Sequence, residues 1–232
     1  MALRKYLPTV SESNEDPYLI SISDLMAGLL SIFIIAFTYY ILTFHQATAQ
    51  LSENLTKRTE ILQTLQRELR EKNIETIIDT EHGVLRLPEG VLFDVGQARL
   101  KESGHTTVQV LGPILYHVLN RPEFVGTVDT VFIEGHTDNL PIQNVQFSSN
   151  WELSSQRAIN TFHALTESAV GLTKLTNSKQ EMLLSCSGYA DTRPIQSNLT
   201  EQGRRDNRRI DLRFSMTPPT KEDANRLRSQ HR

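Results

Sequence analysis

The stretch "SISDLMAGLLSIFIIAFTYYIL", beginning at Ser21, puts a single carboxylate, Asp24, at the head of an apolar run. From Leu25 to Phe44 the chain carries no Lys, Arg or Pro. About 20 such residues, rising ~1.5 Å each in a helix, match the ~30 Å hydrocarbon core of a bilayer. A charge at that edge needs a partner or a purpose. Asp24 or Ser23 could cap the start of the helix with a side-chain oxygen. Alternatively, Asp24 could take up and release an ion within a larger membrane assembly. Polar residues recur every seven positions, at Asp24, Ser31, Thr38 and His45. They run beside an apolar seam of Ala27, Leu30, Ile34, Phe37, Ile41 and Phe44. One helix could pair with its twin along the seam and turn the polar row toward another protein.

The other chemically capable residues suggest less. In "GHTD", His136 neighbours Asp138, but no third ligand follows at metal spacing, so no zinc site is expected. Ser187 in "CSGYA" lacks the G-x-S-x-G elbow of hydrolases. Arg204, Arg205, Arg208 and Arg209 could hold a phosphate, whereas His45, His105, His117 and His163 stand without partners in view. No nucleophile, base and oxyanion constellation can be assembled, so an enzyme is not expected.

Several elements must position these residues. With 232 residues, 38% hydrophobic, and a net charge of −3, the chain suits one domain with accessories. The balanced charge argues against nucleic acid as a main partner. Cys186 is alone, which excludes an intrachain disulfide and leaves the redox compartment unread. The apolar run is long and ends in Tyr39, Tyr40 and Phe44, an interfacial belt rather than a cleavage site. We read residues 20–45 as one retained spanning helix. Arg4 and Lys5 precede it, and no basic residue follows until Lys57. That favours a cytoplasmic N-terminus, although Glu12, Glu15 and Asp16 dilute the contrast.

Residues 46–78 contain no Gly or Pro and predict a helix. Leu55, Leu62 and Leu69 recur every seven residues, with Leu51 and Leu65 completing a seam that Arg58 and Lys72 interrupt. This is either an imperfect coiled coil or an amphipathic connector packed on the next domain. From about Val84 to Met216 the pattern is mixed α/β. "VLRLPEGVLFDVG" gives a strand and a turn. Val108, Leu111, Leu115, Val118 and Leu119 line one face of a helix. Val131, Phe132 and Ile133 mark a strand buried on both faces. "SNWELSSQRAINTFHAL" predicts a helix capped by Asn150, with Glu152 in its first turn and Ile159, Phe162 and Leu165 inward. "EMLLSCSGYADTRP" is a strand leading into a loop. "RRIDLRFSM" alternates, with Ile210, Leu212 and Phe214 in and Arg209, Asp211 and Arg213 out, as in a half-buried strand. Residues from Pro218 read as a disordered polar tail.

Four segments, "EGHTDNLPI", "SNWELSSQRA", "SGYADTRP" and "GRRDNRRIDLRF", stand in the order and spacing of OmpA-like peptidoglycan-binding domains, which this part of the chain resembles. The preceding helix with its lone Asp resembles the MotB-like B subunits of flagellar stators. Within that group, "ISISDLMAGLL" and the short N-terminal tail are most similar to the ZorB type of Zorya antiphage systems. The resemblance implies an α+β fold: an N-terminal spanning helix, a helical linker and an OmpA-like βαβαββ mixed sheet. It divides the chain into a cytoplasmic tail (1–19), a membrane helix (20–45), a periplasmic linker or plug (46–80), the OmpA-like domain (81–217) and a tail (218–232).

It also implies roles. Asp138 matches the family's acid and Arg157 its base, together holding the zwitterionic diaminopimelate end of a stem peptide. Arg can grip a carboxylate through two parallel hydrogen bonds. The alternative is that Asp138 and Arg157 simply pair with each other. Thr137, Asn150, Leu153 and Ser154 match the motif that shapes the pocket, and the "NRR" segment braces the last strand. Asp24 would carry the translocated ion, a proton or alternatively sodium, with no cofactor. The implied partners are peptidoglycan, a second copy, and a pentameric ring of ZorA- or MotA-like subunits. The implied location is the bacterial inner membrane, with the C-terminal domain in the periplasm. Two other outputs fit the same residues, a flagellar stator and a passive tether without ion flow.

Overall fold

The structure, a computed structural model, describes residues 17–142 and 144–218. The expected tails therefore lie almost wholly outside the described residues, as do Arg4 and Lys5. The chain falls into two compact units, one holding residues up to Thr48 and the other beginning at Ala49.

In the first unit, helix α1 (Pro17–Glu71) begins. Pro suits the first turn, where its missing N–H would lack a helical acceptor anyway. Ser23 and Asp24 thus sit in the body of the helix, past its first turn, rather than at the position of an N-terminal cap. Ile22–His45 is long and apolar enough to cross a membrane, and none of it is buried within the chain. The Ser31 hydroxyl donates to the Ala27 carbonyl at 2.8 Å, so it need not find another partner in hydrocarbon.

In the second unit, α1 continues and changes partner. Ile61, Leu62, Leu65 and Leu69 are fully buried in the domain core, whereas Leu51 and Leu55 remain about half exposed. The lower part of the leucine seam is therefore the packed connector rather than a coiled coil. Arg121 anchors it through Glu68 at 2.6 Å, and Asn54 donates to the Thr217 carbonyl at 2.8 Å.

The helix stops at Glu71, short of the expected Ile78. Asn73 adopts a left-handed conformation (φ 58°), with Asn73 N donating to Arg70 O and Ile74 N to Leu69 O, each at 3.0 Å. Those two bonds are a Schellman stop, which Asn supplies here in place of the usual Gly. Residues beyond it become strand.

The sheet order is β1 (Ile77–Asp79), β2 (Val84–Pro88), β5 (Arg209–Met216), β3 (Val128–His136), β4 (Leu184–Gly188). All neighbours are antiparallel except β3 and β4. Helices α2 (Glu89–Leu92) and α3 (Glu102–Leu119) separate β2 from β3, α4 (Asn150–Ser168) separates β3 from β4, and α5 (Glu201–Asn207) separates β4 from β5. The mixed α+β architecture agrees with the expectation, with the hairpin strand β1 and short α5 added.

One sheet face carries the core, where Leu85, Leu87, Val131, Ile133, Ile210, Leu212 and Phe214 meet Leu111 and Leu115 of α3 and Ala158 and Leu165 of α4. Strand β5 departs from the half-buried expectation: Arg209 and Asp211, assigned outward, are also buried. It lies between β2 and β3, and the charges satisfy one another, with Arg86 Nε 3.1 Å and Arg209 Nε 2.9 Å from Asp211. Phe132 is only half-buried, because it sits on that polar face rather than in the core.

Helix α4 presses unusually close to the sheet. A Cβ on Gly135 would lie 2.0 Å from the Ser154 carbonyl oxygen, and one on Gly188 would lie 2.5 Å from the Ser155 nitrogen. Since backbone cannot yield as a flexible side chain does, Gly135→Ala should destabilise the domain by about 1–3 kcal/mol. Thermal or denaturant unfolding measures this, and an unchanged midpoint would refute the close-approach argument.

Candidate functional site

Asp138 lies two residues beyond the end of β3. Its Oδ1 accepts from the Leu140 N–H at 3.1 Å, which turns the chain sharply after the strand. Thr137 is buried, and its N–H reaches the Ala190 carbonyl at 2.9 Å. Asn150, expected as a helix cap, instead braces this loop. Its Nδ2 donates to the carbonyls of Asp138 (3.2 Å) and Leu140 (3.0 Å), and its Oδ1 accepts from the Ile142 N–H at 3.2 Å.

The cap is Ser149, whose hydroxyl accepts from the Glu152 N–H. Glu152 in turn accepts from the side chain and backbone of Ser148, which holds its carboxyl below the ordinary glutamate range. Ser therefore takes the position that best spares the first-turn N–H groups, leaving Asn150 free to hold the loop.

Leu153, Ser154 and Arg157 fall on the inner face of α4 together with Ala158, Thr161 and Leu165. Ile159, expected inward, is exposed, because the buried stripe begins at Leu153 and Ile159 falls outside it. Leu153 packs with Ala98 and Phe147. The Ser154 hydroxyl donates to the Trp151 carbonyl and accepts from the Ala190 N–H at 3.0 Å. Both Leu153 and Ser154 support the site from behind. Ala190 is held in the left-handed region (φ 49°) by the bonds it makes to Ser154 and Thr137.

Arg157 is 1% exposed. Its Nε donates to the Gln97 carbonyl at 2.8 Å, its Nη2 pairs with Glu89, and its guanidinium lies 5.1 Å from the Phe93 ring centroid. Burial pulls this guanidinium below its usual value, against the attraction of Glu89. Asp138 and Arg157 are thus brought into one charge cluster without pairing directly with each other, the alternative weighed from the sequence. Asp138 pairs instead with Arg208, whose Nε also lies 2.6 Å from Glu89. Burial disfavours the Arg208 charge, but Asp138 and Glu89 outweigh it and hold the group above its ordinary value.

The cluster therefore runs Arg157–Glu89–Arg208–Asp138, with two positive and two negative charges summing to zero. The sequence does not mark Glu89 as a site residue, and it marks Arg208 only within an arginine cluster able to hold a phosphate or to brace the last strand. Arg208 lies in the "NRR" segment read as a brace, and "LPEG" gives no sign that its acid turns inward to meet α4.

A second charged group occupies the other sheet face. His136 is 2% exposed, stacks on Tyr189, and lies 3.6 Å from Asp211 and 3.9 Å from Glu134. Burial first, then Arg209, Arg193 and Arg86, push its pKa down to about 3. The unfolded chain therefore takes up this proton at higher pH than the folded one. Stability from neutral His136 is complete above about pH 6.5 and falls as the pH drops toward 3, by about 3 kcal/mol at pH 4. Unfolding titrations should show that slope flattened in His136→Gln. An identical slope would refute the assignment.

The OmpA family matches residues 92–208. Motility protein B of Bacillus subtilis is 32% identical over 143 residues, 61% of this chain and 48% of that protein. Zorya protein ZorB of Escherichia coli is 22% identical over 208 residues, 88% of this chain and 82% of that one. The chain spans about half the length of the first of these relatives. A crystal structure of a MotB-like protein from Desulfovibrio vulgaris shares the fold, with TM-score 0.54 and 20% identity over 72% of this chain and 98% of that one. The chain belongs to the OmpA family.

Proposed function

We propose that this chain is a peptidoglycan-anchored B subunit of an ion-driven motor in the bacterial inner membrane, of the ZorA/ZorB type that acts in antiphage defence. The observation that carries the reading is the union, in one chain, of a charge-balanced Asp138–Arg157 cluster with an apolar helix bearing a lone acid. A zwitterion, the diaminopimelate end of a stem peptide, adds no net charge to that cluster. Its ammonium suits Asp138 and its carboxylate suits Arg157. Thr137, Asn150, Leu153 and Ser154 hold those two in place.

On this reading the N-terminus is cytoplasmic and the OmpA-family domain periplasmic. Two copies share a ring of five ZorA- or MotA-like subunits, and Asp24 carries a proton, with sodium the alternative ion. The wall holds the dimer still while the ring moves. Co-sedimentation with purified peptidoglycan tests the anchor: Asp138→Ala should bind at least about tenfold less than wild type, the loss of one charge-assisted contact. Undiminished binding would remove Asp138 from the site.

The same machine could drive a flagellum, a reading that the likeness to motility protein B favours. Loss of swimming rather than loss of phage resistance on deletion would select it.

A further inference from the structure

The four charges of the cluster do not leave a free guanidinium and a free carboxylate awaiting a ligand. Arg157 is already satisfied by Glu89 and by the Gln97 carbonyl, and Asp138 by Arg208 and the Leu140 N–H. The side chains of Arg157, Glu89 and Asp138 are only 2%, 6% and 8% exposed. Glu89 and Arg208 are also joined to each other at 2.6 Å. The inner pair thus offers Arg157 a carboxylate and Asp138 a cation, in the same order in which a zwitterion would offer them.

We propose that Glu89 and Arg208 form an internal stand-in for the ligand's carboxylate and ammonium, so that binding is an exchange of ion pairs. This rests on the wall-binding reading above. The ligand's carboxylate takes the place of Glu89 on Arg157, and its ammonium takes the place of Arg208 on Asp138. Glu89 and Arg208 stay bonded to one another, and Arg208 has a further acceptor in Glu201, 3.6 Å away. No buried charge is left without a partner at the end, which is the condition under which such groups can be rearranged at low cost.

Selectivity follows. A simple anion would displace Glu89 alone, and a simple cation Arg208 alone, so neither recovers the full exchange. Only a ligand with both charges a few ångströms apart does. Glu89 and Arg208 act here as specificity-determining residues, by competing with the wrong ligands more effectively than with the right one.

The test uses the full chain in detergent and calorimetric titration with a soluble tripeptide ending in meso-diaminopimelate, with the same peptide acetylated on its distal amine as comparison. The charge-neutral double substitution Glu89→Gln with Arg208→Gln removes the competitor and should tighten tripeptide binding on the order of tenfold, because the open arrangement no longer has to be selected. A folded double variant that binds equally or more weakly overturns the exchange. In the wild type, side-chain NMR should show the Arg157 and Arg208 guanidinium signals shifting together as the tripeptide binds, with little response to the acetylated peptide. Binding with Arg208 unmoved would overturn the proposal even if the double variant failed to fold. A wild-type protein that ignores the tripeptide altogether would sink the wall-binding reading itself, an outcome distinct from both.

Discussion

Asp24→Asn should leave the protein folded, inserted and assembled, yet reduce ion flux and motor output to background. The substitution keeps the size of the side chain and its hydrogen-bonding reach while removing the group that can gain and lose a proton. Asp24 lies in the body of α1, two turns in from Pro17 and at the head of the apolar span. The helix start does not need it. Were it merely a surface acid, Asn would be harmless.

On the proposed reading, each elementary charge crossing 100 mV would release about 2.3 kcal/mol, all of it lost if no site carries the ion. Flux into cells or vesicles, with and without the substitution, reads this directly, and phage plating reads its consequence. Asp24→Glu should restore part of both. Full activity in Asp24→Asn would end the ion-carrying proposal and leave the passive tether.

Arg157→Ala has the second largest expected effect, because it should fail in two ways. Removing the guanidinium leaves the buried cluster with one positive and two negative charges, so Glu89 and Asp138 compete for Arg208 alone. Breaking a buried ion pair from one side costs about 3 kcal/mol or more. It also empties the space against Phe93 and frees the Gln97 carbonyl. Unfolding should therefore begin at markedly lower temperature, and wall binding should disappear.

Arg157→Lys separates the two effects. It keeps the charge and much of the stability but loses the planar fork, so peptidoglycan binding should still fall steeply. A Lys variant that binds the wall normally would show that Arg157 is a structural brace and nothing more. Together these substitutions distinguish a binding residue from a folding one, which Arg157→Ala alone cannot do.

Much of this was open to inspection in the residues themselves. A helix long and apolar enough to cross a membrane follows from composition, since the run from Leu25 to Phe44 is uncharged and predominantly apolar. Helix α3 follows from its 3.6-residue stripe, and the core side of β5 from strict alternation. Asp138 and Arg157 came from resemblance to a motif. Some local signals were present but easily misread. Asn73 ends α1 and Ser149 caps α4, but each stands beside residues that could have done the same.

What the linear pattern could not decide is which charges meet. Glu89 and Arg208 are 119 positions apart and join only because β2 and β5 pair across the sheet, setting the start of α2 beside the end of α5. The burial of Arg209 and Asp211 likewise depends on β5 being a central strand, a property of sheet order rather than of the strand's own residues. The leucines of α1 chose their partner in the same way: Leu62, Leu65 and Leu69 could have met a second copy, and the domain's own core claimed them. Periodicity along a chain reports how one element divides water from interior. Partnership between charges depends on distances in three dimensions, and those exist only once the elements have packed.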